Sequence, residues 1–267
     1  MEKQELLNIY KRQDDKILIS QVLDKISLMN KNQKIESTDF LDMYQISLVD
    51  MALKKINFTN YIFYGGFDEA ERKILIVYPE KYNIEMIEKN YSKLIKIVRV
   101  ELSKEEQGKY SHRNYLGGII KLGLKREKVG DILVFDEGAD IVTINEFADI
   151  LTNELGTLTR FQNSKIEALE LNQIRVQELK IEEIKIIVPS LRLDNIVSDL
   201  VRTSRNKANE IISQERVFVN GKNEIKPSKQ IKQGDVITVR GKGRFIIKEF
   251  VGNTRSGRIV VLVEKYV

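Results

Sequence analysis

The sequence predicts an α+β chain of more than one domain, and three observations carry that prediction. The first part has apolar residues at helical spacing. The middle alternates short apolar runs with helical stretches. The last third sets basic and amide side chains at the ends of short elements. At 267 residues with 42% apolar content, the chain is long enough for packed cores in two or three domains.

Residues 1–56 read as helical. Ile17, Leu18, Val22, Leu23 and Ile26 recur at helical spacing, and residues 30–34 form a polar break. Ser37 or Thr38 is expected to cap a second helix carrying Phe40, Leu41, Tyr44, Leu48, Ala52 and Ile56. Strands are then expected at 61–64, which Gly65-Gly66 ends, and at 73–78, which Pro79 stops. A helix around 84–91, a strand over 94–102 and a helical stretch over 111–128 follow. Gly130-Asp131 turns into 132–135, a strand covers 140–144, and a helix covers 144–155. From 165 to 188 charged and apolar residues alternate, either as a last strand of the middle region or as a stiff connector. Pro189-Ser190 marks a break. The domains are placed at 1–60, 61–180 and 181–267.

Charge narrows the function. The net charge of +5 is modest, but from residue 189 onward sixteen Lys and Arg face eight Asp and Glu. That segment carries +8 and leaves −3 for the rest, and a confined basic patch is the footprint of a nucleic-acid binder. Without cysteine there is no disulfide, thiol nucleophile or Cys-ligated zinc. The start lacks a signal peptide's apolar core and no apolar run reaches membrane-spanning length, so a soluble cytoplasmic protein is expected, with no membrane partner.

In the last third, Leu193, Ile196, Val197, Leu200 and Val201 give one helix face. Ser204 is a natural cap for a second helix with Ala208, Ile211 and Ile212 on its core side. Arg205 and Lys207 fall in that helix's first turn, where the dipole disfavours cations; an anion at the same place offsets the cost, so a phosphate site is expected. Arg202 adds to the same region. Asn220-Gly221 is a hairpin turn after 217–219, with Lys222 behind it. Arg240, Lys242 and Arg244 alternate with Gly241 and Gly243 after a strand at 236–239. The final strands flank a basic loop at 253–258. Phe218, Phe245 and Phe250 are expected in the core, which favours backbone and shape recognition over base stacking.

An Arg-Leu-Asp start, a Ser-Arg helix start, a Val-x-Val-Asn-Gly hairpin and a Gly-Asp strand occur here in order over 191–244. Together they resemble the RNA-binding module named after the "S-four" protein of the small ribosomal subunit. The resemblance implies that Arg192, Asp194, Ser204, Arg205, Lys207, Asn220, Lys222 and Arg240 lie on or support an RNA face. Asp194, which repels phosphate, is read as capping the first helix or orienting Arg192.

The segment from Ser111 to Asp131, with glycines interrupting a helix and His112-Arg113 and Lys125-Arg126 bracketing it, is similar to the bacterial YlmH family when taken with 64–72. Asn114 stands where that family is expected to have Asp. The resemblance implies a helical N-terminal region, an RNA-recognition-like middle domain and a C-terminal "S-four" domain. It also implies a role in ribosome-associated quality control. The partners would be rRNA of the large ribosomal subunit, tRNA and a factor that extends stalled chains with alanine, and His112, Arg113, Lys125 and Arg126 join the candidate RNA contacts.

Enzymatic readings are weaker. The lone His112 has no ligand cluster, 118–123 lacks the Lys-Ser/Thr of a phosphate loop, and Arg192-Leu193-Asp194 lacks the catalytic domain that follows the module in pseudouridine synthases. No catalytic residue, metal or cofactor is expected. An RNA-modifying enzyme and an RNA-binding cell-division scaffold stay as alternatives.

Overall fold

A computed structural model describes residues 3–176 and 181–266. The chain forms two compact units that divide between residues 177 and 178.

In the first unit, α1 (Lys3–Asn8), α2 (Gln13–Asn32) and α3 (Met43–Lys55) surround β1 (Glu36–Leu41) in sequence. Residues 36–41 are thus a strand, not the start of a helix. Thr38 donates its hydroxyl to the Asp39 carbonyl, and Asp42 caps α3 through the Gln45 amide at 2.9 Å. A carboxylate is as good a cap as a hydroxyl, and Gln45 closes the box by accepting from the Asp42 amide. β1 pairs with β3 (Lys73–Val77), which pairs with β2 (Tyr61–Tyr64). This sheet straddles residue 60, where the sequence suggests a boundary.

β3 is buried on both faces. Leu75 and Val77 meet the three helices, while Ile74 and Ile76 point the other way with Phe40. That burial explains its unbroken apolar run.

After α4 (Ile84–Glu88) and α5 (Tyr91–Leu94) come β4 (Ile95–Glu101), α6 (His112–Lys121), β5 (Val129–Phe135), β6 (Gly138–Ile144), α7 (Asn145–Leu155) and β7 (Lys165–Leu169). Gly130 and Asp131 lie inside β5. The sheet order β5-β6-β4-β7 makes this a βαββαβ fold, the arrangement of RNA-recognition domains. One sheet face packs on α6 and α7 through Val98, Val100, Ile119, Ile141 and Leu151. The other face carries Ile95 and Val142 against Phe40, Ile74, Ile76 and Ile87, with Leu171 and Ile174 beside them. The layers therefore run helices, three-stranded sheet, four-stranded sheet, helices.

The second unit begins with β8 (Ile181–Val188), so the alternating stretch over 165–188 is two strands in two sheets. α8 (Leu193–Leu200), α9 (Arg205–Ser213), β9 (Val217–Val219), β10 (Lys222–Asn223), β11 (Val236–Val239), β12 (Gly243–Asn253) and β13 (Ile259–Tyr266) follow. The sheet order is β10-β9-β11-β12-β13-β8. Both helices pack on one face of it, with Ile196, Val197, Ala208 and Ile212 against Val217, Ile237, Phe245, Ile247 and Val263.

Candidate RNA-binding site

Asp194 is the centre of the best-formed charged cluster in the second unit. It stands in the first turn of α8, and its side chain is 1% exposed. Arg192 Nε and Nη2 donate to its two oxygens at 3.1 and 3.0 Å. Arg205 Nε and Nη2 donate to Oδ2 at 2.9 and 2.8 Å, and the Asn195 amide donates to Oδ1 at 3.0 Å. Burial alone would raise this carboxyl's pKa, but the bonds from the two guanidiniums outweigh it and hold the group below the usual carboxylate range.

The loop before β11 fixes this arrangement. The Leu193 amide donates to the Lys229 carbonyl at 2.8 Å and the Asp194 amide to the Pro227 carbonyl at 3.0 Å. Ser204 caps α9 by accepting from the Lys207 amide at 3.3 Å, which places Arg205 at the helix start. The anion that offsets cations at this helix start is therefore supplied first by the protein itself, as Asp194. A carboxylate that accepts from both arginines leaves the cluster with one net positive charge. It also holds both guanidiniums in one orientation, with the Nη1 groups unused among the described residues. Two oriented forks with donors to spare suit a phosphate oxygen.

The other expected contacts separate into exposed and structural groups. Arg202 closes α8 in the left-handed region at φ 51° and is exposed. Lys207 is exposed and paired with Glu210 at 2.6 Å. Lys222 and Lys242 are exposed. Arg240 lies over the Phe218 ring at 5.0 Å, so Phe218 is a platform and not a core residue as expected.

Asn220 is spent on the fold: its amide nitrogen donates to Asp235 and its oxygen accepts from the Val236 amide, both at 2.8 Å. It holds the hairpin. Arg244 is half-buried over Tyr266, and burial lowers its pKa. Exposed Lys226 and Lys229, beside the start of α8, are additions that the sequence motifs do not single out. Their only signal is two lysines in the segment that precedes the Gly-Asp turn.

In the first unit, the motif that carried the family resemblance is a joint between the two sheets. Asp131 accepts from the Glu71 and Arg72 amides at 2.6 and 3.2 Å. Arg72 spans from the Val129 carbonyl at 3.1 Å to that of Phe40 at 3.0 Å. Arg126 donates to the carbonyls of Val129 and Gly130, and burial, then Arg72, pushes its pKa down to about 10. Arg126 is therefore partly buried, with its Nη1 spent on two carbonyls of β5. Beside it, exposed His112 has its pKa lowered, by desolvation first and then by the Arg126 charge, which favours a neutral ring at pH 7. Arg113 and Lys125 are exposed. Asn114 serves α6 as an acceptor, taking bonds from the Ser111 amide and hydroxyl at 2.9 Å, work that needs no negative charge.

A second buried carboxylate, missed from sequence, mirrors Asp194. Asp140 on β6 is fully buried and receives Arg99 Nε and Nη2 at 2.8 Å each, with Arg175 Nη2 at 2.7 Å and the Arg175 amide at 3.0 Å. This cluster ties residues 170–176 onto the sheet face where RNA-recognition domains stack bases. The central strands β4 and β6 offer Arg99 and Asp140 there and no aromatic ring, and Phe135 of β5 is stacked under Arg175 at 4.5 Å.

Among the described residues no group of carboxylates and imidazoles could hold a metal, and no helix is long and apolar enough to cross a membrane.

Residues 79–178 match a family described as "Putative RNA-binding domain in YlmH", and residues 191–237 match the S4 domain. The chain is 27% identical over 259 residues to the ribosome-associated protein quality control protein P2 of Bacillus subtilis, covering 95% of this chain and 96% of that one. It is also similar to the solved cell division protein ylmH from Streptococcus pneumoniae. That likeness is 20% in sequence with a TM-score of 0.47, over 61% of this chain and 96% of that one.

Proposed function

We propose that this chain, whose residues 79–178 match the RNA-binding domain described for YlmH and whose residues 191–237 match the S4 domain, is a YlmH-like, non-enzymatic cytoplasmic factor of ribosome-associated quality control. It binds rRNA of the large ribosomal subunit together with tRNA, and it supports a partner factor that adds alanine to stalled nascent chains. The name of the Bacillus subtilis relative supports the setting. The observation that carries the RNA-binding part is the clamp of Arg192 and Arg205 on Asp194. Lys226 and Lys229 lie on the loop bonded to its helix start, and Arg202, Lys207, Lys222, Arg240 and Lys242 serve as further backbone contacts on the same unit. Asp194 accepts five donors, which supports a structural rather than a catalytic role for it.

Sedimentation of a cell lysate tests the setting. The wild-type chain is expected to travel with large subunits and tRNA, and the Arg192→Glu, Arg205→Glu variant to stay at the top of the gradient. Free migration of the wild type at low salt would refute the ribosomal reading.

A further inference from the structure

Packing and backbone conformation explain two of the three glycines in and after α6, and the third is left without a structural reason. Gly118 is packed: a Cβ there would lie 3.1 Å from Leu158 and 3.2 Å from Phe161. Gly123 ends the segment at φ +76°, where other residues are strained. Gly117 is exposed, lies inside the helix, and a Cβ on it would meet nothing within 4 Å. A helix-interior glycine weakens a helix, and here neither packing nor backbone conformation asks for it.

Its neighbours on the same face are Arg113, one turn before, and Lys121, one turn after, both exposed. Neither forms an ion pair among the described residues. Residues 112–126 contain no acidic side chain. Arg160 Nη1 reaches the same helix, donating to the Asn114 carbonyl at 3.0 Å. Several other cations of this domain are taken: Arg99 and Arg175 by Asp140, Lys96 by Glu170, Lys109 by Glu106, Lys128 by Asp39, Lys165 by Glu167. The stacking face of the sheet is covered by residues 170–176.

We propose that the outer face of α6, Arg113–Gly117–Lys121 with Arg160 beside it, is a second RNA contact, at which the sugar-phosphate backbone passes directly over Gly117. This rests on the RNA-binding reading of the chain and names the surface by which the first unit takes part. The cations flank the open turn at i−4 and i+4, so the RNA's phosphates meet positive charge on both sides of the close approach. The missing side chain lets the backbone lie against the helix.

The test uses the full-length protein, purified large ribosomal subunits as probe, and a salt series. Gly117→Ala is expected to raise the melting temperature by about 2–4 °C, since an exposed helix interior prefers alanine. Gly117→Gln, which folds as easily but fills the gap, is expected to weaken binding about tenfold, the weight of one charge-assisted contact. Arg113→Ala with Lys121→Ala is expected to flatten the dependence of log K on log salt by roughly 1.4–1.8. Gly117→Gln with unchanged affinity would overturn the proposal. So would a loss of affinity in the Arg113, Lys121 variant at unchanged salt slope, because it would mean that a protein surface meets α6. Absence of binding by the wild type would instead refute the ribosomal reading, and sensitivity confined to Arg192 and Arg205 would refute only this contact.

Discussion

A chain carrying Arg192→Glu and Arg205→Glu is expected to bind purified large ribosomal subunits at least about a hundredfold more weakly than the wild type, from two charge-assisted contacts worth roughly 1.5–3 kcal/mol each. The salt dependence should flatten as well, by about 0.7–0.9 in log–log slope for each phosphate that the variant no longer neutralises. The effect is large because these guanidiniums are oriented in advance. Each is fixed by two bonds to one buried carboxylate, so little rotamer freedom remains to be lost on binding. Charge reversal also brings two carboxylates against Asp194. The neutral pair Arg192→Gln, Arg205→Gln spares that repulsion, and a similar loss of affinity with an unchanged circular dichroism spectrum separates binding from folding.

Asp140→Ala is expected to destabilise the first unit by about 3–5 kcal/mol, the usual cost of removing one partner from a buried ion cluster. Arg99 and Arg175, with side chains 15% and 31% exposed, would be left facing a cavity without their counter-charge. The segment 170–176 would lose its tie to the sheet. The same cluster gives an acid limit. Burial raises the Asp140 pKa, but the bonds from Arg99 and Arg175 prevail and the folded value lies below that of the unfolded chain. Its contribution is therefore fully present above the ordinary carboxylate range and is lost as pH falls through the depressed folded value. Urea midpoints of wild type and Asp140→Ala should differ strongly at pH 7 and converge in acid.

Elements are legible in the sequence wherever periodicity and punctuation agree. Val217-Phe218-Val219 before Asn220-Gly221 is a strand and turn by local chemistry alone, and Ser204 is a cap because its hydroxyl suits that place. β1 is not legible. Its Phe40 and Leu41 fall in step with the α3 periodicity, and only pairing with β3, over thirty residues away, makes them a strand. The same limit hides the clusters. Arg192-Leu193-Asp194 is local and can be read, including the supporting role of Asp194. Arg99, Asp140 and Arg175 are joined only by the register of β4 on β6 and by a later loop. Arg126 misleads for a related reason. A cation in a basic segment looks exposed in sequence, yet its guanidinium turns inward to two carbonyls of β5.

Asp194→Asn in the full-length chain, measured for affinity to large ribosomal subunits, tests the clamp most directly. The substitution removes a negative charge from the basic face, so charge counting alone predicts tighter binding. If Asp194 orients Arg192 and Arg205 for phosphate, binding weakens by about tenfold, the weight of one charge-assisted contact. Affinity equal to or tighter than the wild type would contradict it.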